Sequence, residues 1–489
     1  MKTPQAGIIE GINCIKNSRR RILLIAGLAL ILEVPGGTFG QGFTNLYRFG
    51  PLNSQFFNND GAYSSAGLVS LSNVLYGTTS QGGIAAGGTM FKVNSDGTGF
   101  KVIYSFTPAN PNTGVPGDGA YPLDTLAVAG ATLYGTTSGG GISDNGIVFK
   151  INIDGSGFAT LHGFSAVDPN TFTNNDGAQP WAGLVLLGTT LYGTASRGGD
   201  SGSGTVFKLN ADGTGFTRLH SFSALDAATQ TNSDGAYPLG GLVISGNTLL
   251  GTTYRGGSLA TGTVFKVNVD GTGFTVLHNA DGGPRATLLL ASNVLYGTTE
   301  AGGTFGGGTV FKLNTDGTGF TNVQVFAGTA GDGPWGGLIL SGGTLYGTTI
   351  GGGDSGEGSV FGINVDGTGF TNLYSFTGSA DGAQPQGSLI SAGDSLYGTA
   401  SSGGGSGSGT LFKLSPGQSG GRQLTIVISG SNAILTWPTN AAGLLLQSTT
   451  SLVPSVTWTP VSPGPVALNG QNIVTNPISA TQKFYRLSP

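Results

Sequence analysis

Apolar positions recur in a fixed order of short runs along residues 42–415. One stretch, residues 182–222, shows the unit: AGLVLLG, TLYGTAS, GTVFKLN and GFTRLHSF, separated by Gly-rich or Asp-Gly segments. Each run is too short for a helix and suits a strand bounded by turns. Asp212-Gly213-Thr214-Gly215 suits a tight hairpin, because its glycines can take the φ > 0 positions that a Cβ resists. Four strands of this length cannot bury both faces alone. Stacking such sheets radially around an axis solves the problem and predicts a β-propeller.

Counting the motifs gives the number of units. LYGTT or a variant occurs seven times, with glycines at Gly77, Gly135, Gly193, Gly251, Gly297, Gly347 and Gly398. G-T-V-F-K-L or a variant also occurs seven times, centred on Phe91, Phe149, Phe207, Phe265, Phe311, Phe361 and Phe412. N-x-D-G-T-G-F occurs only six times, and the octet that follows it reaches seven only if GFTNLYRF at 42–49 is included. The last repeat stops after its third strand, at Leu414. The orphan octet therefore supplies its fourth strand, which covers two raw edges and joins the ends of the ring without a covalent bond. The expected fold class is all-β: a seven-bladed β-propeller closed by an N-terminal strand, followed by a small C-terminal β-sandwich.

The expected domains are an export signal at 1–40, the propeller at 41–416, a linker at 417–423 and the sandwich at 424–489. In the first, Arg19, Arg20 and Arg21 precede an apolar run from Ile22 to Leu32, which fits a signal h-region and is short for a bilayer span. Cleavage is expected around residues 36–41. An ordinary Sec signal is the preferred reading; a twin-arginine signal and an uncleaved anchor are the alternatives. In the last domain LTIVISG, NAILTWP, GLLLQSTT, VTWTPV, QNIVTN and KFYRLS read as six strands, with Trp437, Trp458 and Tyr485 packing the core.

Composition narrows the function. Charged residues are 9% of the chain, against roughly 25% in typical soluble proteins. There are 92 glycines, and their fixed period argues for turn-rich β structure rather than a flexible linker. The one cysteine, Cys14, precedes the apolar run, so the mature chain has no disulfide and no thiolate-bound metal. Without residues 1–40 the chain keeps fifteen basic and twenty-two acidic side chains, which excludes a nucleic-acid partner.

The motifs LYGTT, GTVFKLNADGTGF and DGAYPLGGL resemble the Gloeobacter/Verrucomicrobia tandem repeats of exported bacterial proteins. DGTGF is also similar to blades of TolB-like propellers, and the C-terminal segment resembles modules ending in FYRL on exported proteins of the same bacteria. The resemblance implies export and surface sorting. It implies no activity and no catalytic residue.

Candidate site residues follow from loop position. Asp60, Asp118, Asp176, Asp234, Asp281, Asp332 and Asp381 each stand in one equivalent loop before a blade's first strand, where they can ring one mouth of the channel. Such a ring suits sugar hydroxyls, or a cation such as calcium, although no cofactor is indicated. The plainer role is that each Asp caps its own turn, and its repetition in every blade favours that role. Loop length breaks the symmetry: the loops entering blades 1 to 4 are long and those entering blades 5 to 7 short. Long loops on a rigid scaffold carry recognition. Tyr63, Tyr121, Trp181, Tyr237 and Trp335 follow the Asp-Gly pairs; a ring beside a carboxylate suits a sugar face, and packing beneath the loop is the plainer role. The Asn-x-Asp-Gly turns lack the further carboxylates of a calcium loop. His162, His220 and His278 share one octet position, which suits packing or rim hydrogen bonding better than general base catalysis. No zinc spacing, nucleophile elbow or phosphate loop is present.

The expected function is an exported, non-enzymatic and monomeric propeller, secreted or at the cell surface. It binds a glycan or a surface protein and touches membrane only through its signal or anchor. One alternative is a polysaccharide hydrolase or lyase using two of the aspartates. The other is a structural surface protein.

Overall fold

The computed structural model describes residues 22–25, 28–31, 42–107, 117–416, 424–429, 432–438, 445–450, 457–468, 471–477 and 483–488. Cys14, the three leader arginines, the cleavage region, most of the loop from 107 to 118 and the 417–423 linker lie outside the described residues. The chain divides into two compact units, Gln41–Ser415 and a second that joins Met1–Gly40 with Pro416–Pro489.

The larger unit is all-β; its one helical turn among the described residues is a 3-10 turn at Gly328–Ala330. Each repeat forms an antiparallel four-stranded sheet. In the third these strands are Val185–Leu187, Thr190–Ala195, Thr205–Asn210 and Thr217–Ser221, side by side in chain order. The hairpin between the last two is built by its own side chains. Thr214 donates its backbone N–H and hydroxyl to Asp212 Oδ1 at 2.9 and 2.7 Å, and Asn210 Nδ2 donates to Thr214 Oγ1 at 3.0 Å. Gly213 and Gly215 sit at φ of 94° and 67°. Those Thr214 bonds first, and the Lys150 charge last, hold the Asp212 carboxyl below its ordinary range. The carboxylate is thus turned onto its own hairpin.

The LYGT glycine and the VFK phenylalanine explain one another. Gly193 lies directly opposite Phe207 in the register, and a Cβ on Gly193 would stand 2.6 Å from Phe207 Cζ and 2.8 Å from Leu184 Cδ2. The missing side chain lets the ring lie flat across the middle of the sheet. The same contact recurs at Gly77, Gly135, Gly251, Gly297, Gly347 and Gly398.

Apolar faces of consecutive sheets bury one another. Tyr192, Val206 and Phe222 of the third meet Leu242, Leu249, Phe265 and Val267 of the fourth. Comparable cores join the other consecutive pairs, and one more sets Leu46, Phe49, Tyr397 and Leu411 against Leu68, Leu75, Phe91 and Val93 of the first sheet. Along the fourth strands, the Gly-Phe ring of one sheet stacks on the octet ring of the sheet before it. Phe216 lies on His162, Phe274 on His220 and Phe320 on His278, each at 3.8 Å between centroids. All three histidines therefore pack in one equivalent slot.

The octet at 42–49 occupies the fourth-strand position of the last repeat. Gly42–Arg48 pairs antiparallel with Thr410–Ser415, with Thr44 opposite Lys413, Tyr47 opposite Leu411, and a bulge between Asn45 and Tyr47. The fourth strand of the third sheet shifts register at the same place. Phe43 stacks on Tyr374 at 4.0 Å, and Tyr47 is stacked by Phe100 at 3.6 Å.

In the smaller unit, one sheet orders Thr425–Ser429, Asn432–Pro438, Gln471–Pro477 and Val466–Leu468, and another orders Thr459–Pro460, Leu445–Thr449 and Phe484–Ser488. Trp437 and Tyr485 share a core with Leu435, Leu446 and Val474. Trp458, expected in that core, stands outside it, with the Arg486 guanidinium over its ring at 4.4 Å. Its indole thus serves as a platform for a cation.

Candidate functional site

The repeat aspartates hold their loops. Asp60 accepts hydrogen bonds from the Tyr47 hydroxyl and Gly50 N at 2.9 and 2.8 Å. Asp118 accepts from the Tyr104 hydroxyl and from Thr107 N. Asp176 pairs with His162 Nε2 at 3.0 Å and accepts from Ser165; Asp234 pairs with His220 Nε2 at 3.0 Å and accepts from Ser223. Asp381 repeats the arrangement with Tyr374 and Thr377. Each clamp ties the loop to the octet of the strand it has just left.

Only these five share the position, which corrects the expectation of seven equivalent aspartates. Asp332 forms the antiparallel bridge to Gly351 that Ala178 makes to Arg197, so it aligns two residues beyond the clamp. Asp281 is exposed and accepts from Asn322 Nδ2 at 3.3 Å. The shortened loops before the fifth and sixth first strands have deleted the clamp. His278 is left without a clamping carboxylate bond, and burial pushes its pKa down against the pull of Asp281.

Burial alone would raise the Asp176 and Asp234 carboxyls, but the bonds from the histidine and serine outweigh it and hold both below the ordinary range. A depressed folded pKa contributes stability that is present above the unfolded value of about 4 and is lost as pH falls through the folded value. Asp176→Asn with Asp234→Asn should therefore flatten the decline in urea midpoint between pH 7 and pH 3. A double variant with the native slope would show that the clamps do not govern acid lability.

The aromatic candidates fall into two registers. Tyr63, Tyr121 and Tyr237 hold φ near 58° and donate their backbone N–H to the second-to-third-strand loop of the preceding sheet, at Ser408, Gly87 and Ser203. They sit at seams between sheets. Trp181 and Trp335 stand two residues further on, each just after a proline, and they line a cavity of about 130 Å³. Seven equivalent positions meet there, one from each repeat: Ser65, Leu123, Trp181, Leu239, Arg285, Trp335 and Gln386. None of the clamp aspartates lines it.

The cavity wall is chemically uneven. The Arg285 guanidinium lies 3.6 Å from the centroid of Trp335 and bonds Glu300 Oε2 at 3.1 Å. Gln386 Nε2 donates to Ser401 Oγ at 3.1 Å. The residue after each ring position is Ala or Gly in six repeats and Asp124 in the second. Asp124 accepts from Gly183 N at 2.7 Å and Thr125 N at 2.6 Å, and burial raises its pKa despite those bonds. Its carboxyl oxygens can accept from a ligand hydroxyl. Arg285, Gln386 and Asp124 were not candidates in the sequence; aligning the repeats on Pro122, Pro180, Pro238, Pro284, Pro334 and Pro385 would have found them. A cavity of about 370 Å³ in the smaller unit is lined mostly by Ser and Thr, with Lys483, and gathers none of the candidate residues.

A family model described as the Gloeobacter/Verrucomicrobia repeat matches residues 35–171, 169–283 and 279–451. No curated protein matches the chain. Among solved structures it is similar to a GH74 enzyme of Niastella koreensis, at 16% identity and a TM-score of 0.48, over 81% of this chain and 59% of that one. It is also similar to BamB of Moraxella catarrhalis, at 13% identity and a TM-score of 0.41, over 82% and 96%. A chain of a nidogen/laminin complex matches at 16% identity and a TM-score of 0.37, over 61% and 91%.

Proposed function

The chain belongs to the Gloeobacter/Verrucomicrobia repeat family, and we propose that it is an exported, non-enzymatic, seven-bladed β-propeller that binds a ligand at the mouth of its channel. The proposed ligand is a glycan or a surface protein, met at or outside the cell surface, and the smaller unit serves attachment.

Closure by the octet is supported by the register of residues 42–48 on 410–415 and by one substitution. Lys92, Lys150, Lys208, Lys266 and Lys312 each lower, as a minor cause behind hydrogen bonds, the pKa of the turn aspartate one repeat on, and Lys413 does the same for Asp96. The seventh sheet has no such turn, because its fourth strand comes from the N-terminal side. Gly362 stands where the matching lysine would face it.

The observation that carries the binding role is the meeting of seven equivalent positions in one cavity with different side chains at most of them. A repeat that conserved only packing would place similar residues there. Glycoside hydrolysis in its usual form needs two carboxyl groups flanking the bond; among the described residues Asp124 is the one carboxyl that lines the cavity. Export is supported by the arginine-led apolar run at 19–32.

Trp181 is 37% exposed, so it can be removed without opening a core. Trp181→Ala should bind at least roughly tenfold more weakly, about 1.4 kcal/mol, on a glycan array or to extracted surface proteins, with its melting temperature unchanged. Native-level binding by this variant would remove the mouth as the site.

A further inference from the structure

Basic charge in the repeat unit is placed unevenly. Five arginines lie between residues 41 and 415, and three of them, Arg197, Arg255 and Arg285, fall in the consecutive third, fourth and fifth repeats; of these Arg285 lines the cavity. Arg197 and Arg255 occupy the same bridge position in consecutive repeats, pairing with Ala178 and Ala236. Arg197 lies 4.2 Å from the centroid of Tyr237, and Arg255 lies 4.9 Å from that of Tyr254, which also faces Arg285 at 5.7 Å. Stacking on rings orients a guanidinium while leaving its N–H edge free. Arg197 and Arg255 are exposed, and among the described residues neither is salt-bridged to a carboxylate. Glu300 is engaged with Arg285, Asp200 with Arg218 and Asp234 with His220, and Asp124 in the cavity wall is held by the backbone N–H groups of Gly183 and Thr125.

We propose that the ligand of the mouth is an acidic polysaccharide, one sugar ring lying in the cavity against Trp181 and its anionic groups held by Arg197, Arg255 and the free edge of Arg285. This rests on the mouth being the binding site. A guanidinium fork matches a carboxylate or a sulfate ester with two parallel hydrogen bonds. The tryptophans favour a sugar over an acidic peptide, because a pyranose has a flat C–H face to lay on an indole and a Glu or Asp side chain has none. Gln386 and Asp124 offer partners for ring hydroxyls. A net negative protein would otherwise repel such a polymer, so these arginines give it a local landing point whose strength falls with salt.

The test sets the full chain against polygalacturonate, alginate, hyaluronate and chondroitin sulfate, with methyl-esterified pectin, galactan and mannan as neutral polymers and poly-L-glutamate as the peptide. Binding is read at about 0.05 M and about 0.5 M NaCl, a range that shortens the Debye length several-fold. The expected result is binding to at least one acidic polysaccharide, weakened roughly tenfold by the higher salt, by Trp181→Ala and by Arg197→Gln with Arg255→Gln. Uronates against the sulfated polymer tell which anion is read. A neutral polymer bound equally well, or indifference to the double arginine change, overturns the acidic ligand while leaving the mouth in place. Preference for poly-L-glutamate overturns it in favour of an acidic protein. Failure of every polysaccharide overturns both this inference and the glycan reading beneath it.

Discussion

A chain lacking residues 42–49 should fail to hold the repeat unit together, melting at least about 15 °C lower or not folding at all. The octet is the fourth strand of the last sheet and packs on both sides. Leu46 and Phe49, 8% and 1% exposed, complete the core shared with the first sheet. Phe43 lies against Tyr374, Phe376 and Phe412 on the other side. Truncating one buried Leu or Phe costs about 2–5 kcal/mol, whereas a whole domain has only about 5–15 kcal/mol of stability. Removing Leu46, Phe49 and the half-buried Phe43 together with a strand's ladder of hydrogen bonds approaches or exceeds that total. Phe49→Ala alone should cost about 3–5 kcal/mol. Calorimetry reads both, and a truncated chain with native melting would contradict the closure.

The second large effect concerns one methyl group. Gly193→Ala would set a Cβ 2.6 Å from Phe207 Cζ and 2.8 Å from Leu184 Cδ2. Both neighbours are held in place, Phe207 fully buried between strands and Leu184 in the core with the preceding sheet. Neither can retreat without displacing the next sheet, so about 3 kcal/mol of overpacking is expected. Gly163→Ala is the control: nothing lies within 4 Å of its Cβ and its φ is not positive, so it should change stability by less than about 0.5 kcal/mol. Denaturant midpoints decide between them. Equal midpoints for the two variants would mean that the Gly–Phe contact does not constrain the sheet.

The fold was largely legible because its causes repeat. A glycine that admits a phenylalanine, and an Asx turn that needs two glycines, leave the same residues at the same spacing in every repeat. The one odd element, an octet with no turn before it, was conspicuous against that regularity. The site was less legible for the opposite reason. The proposed binding mouth is built from seven equivalent positions and is read in their differences, and Ser65, Leu123, Arg285 and Gln386 look like variation around a motif. Aligning loops on Asp-Gly also slipped the register by two residues in the sixth repeat, so that Asp332 was grouped with the clamps and Trp335 with the seam tyrosines. The bridge of Asp332 to Gly351 corrects both. Trp458 was misplaced because a tryptophan beside a short strand suits a core or a cation platform equally, and the Arg486 guanidinium over its ring tells them apart.

The most direct measurement is a disulfide across the proposed seam. Thr44 and Lys413 face each other in the register and are 369 positions apart in the chain. Directly opposed antiparallel residues have Cα separations of about 4.5–5.5 Å, within disulfide reach. The sequence holds no other cysteine beyond Cys14. Thr44→Cys with Lys413→Cys, oxidised mildly and digested, should yield one linked peptide pair in monomeric protein, with melting preserved or raised. Free thiols in the folded monomer, or linkage only between molecules, would place the N-terminal strand elsewhere and contradict the closed ring.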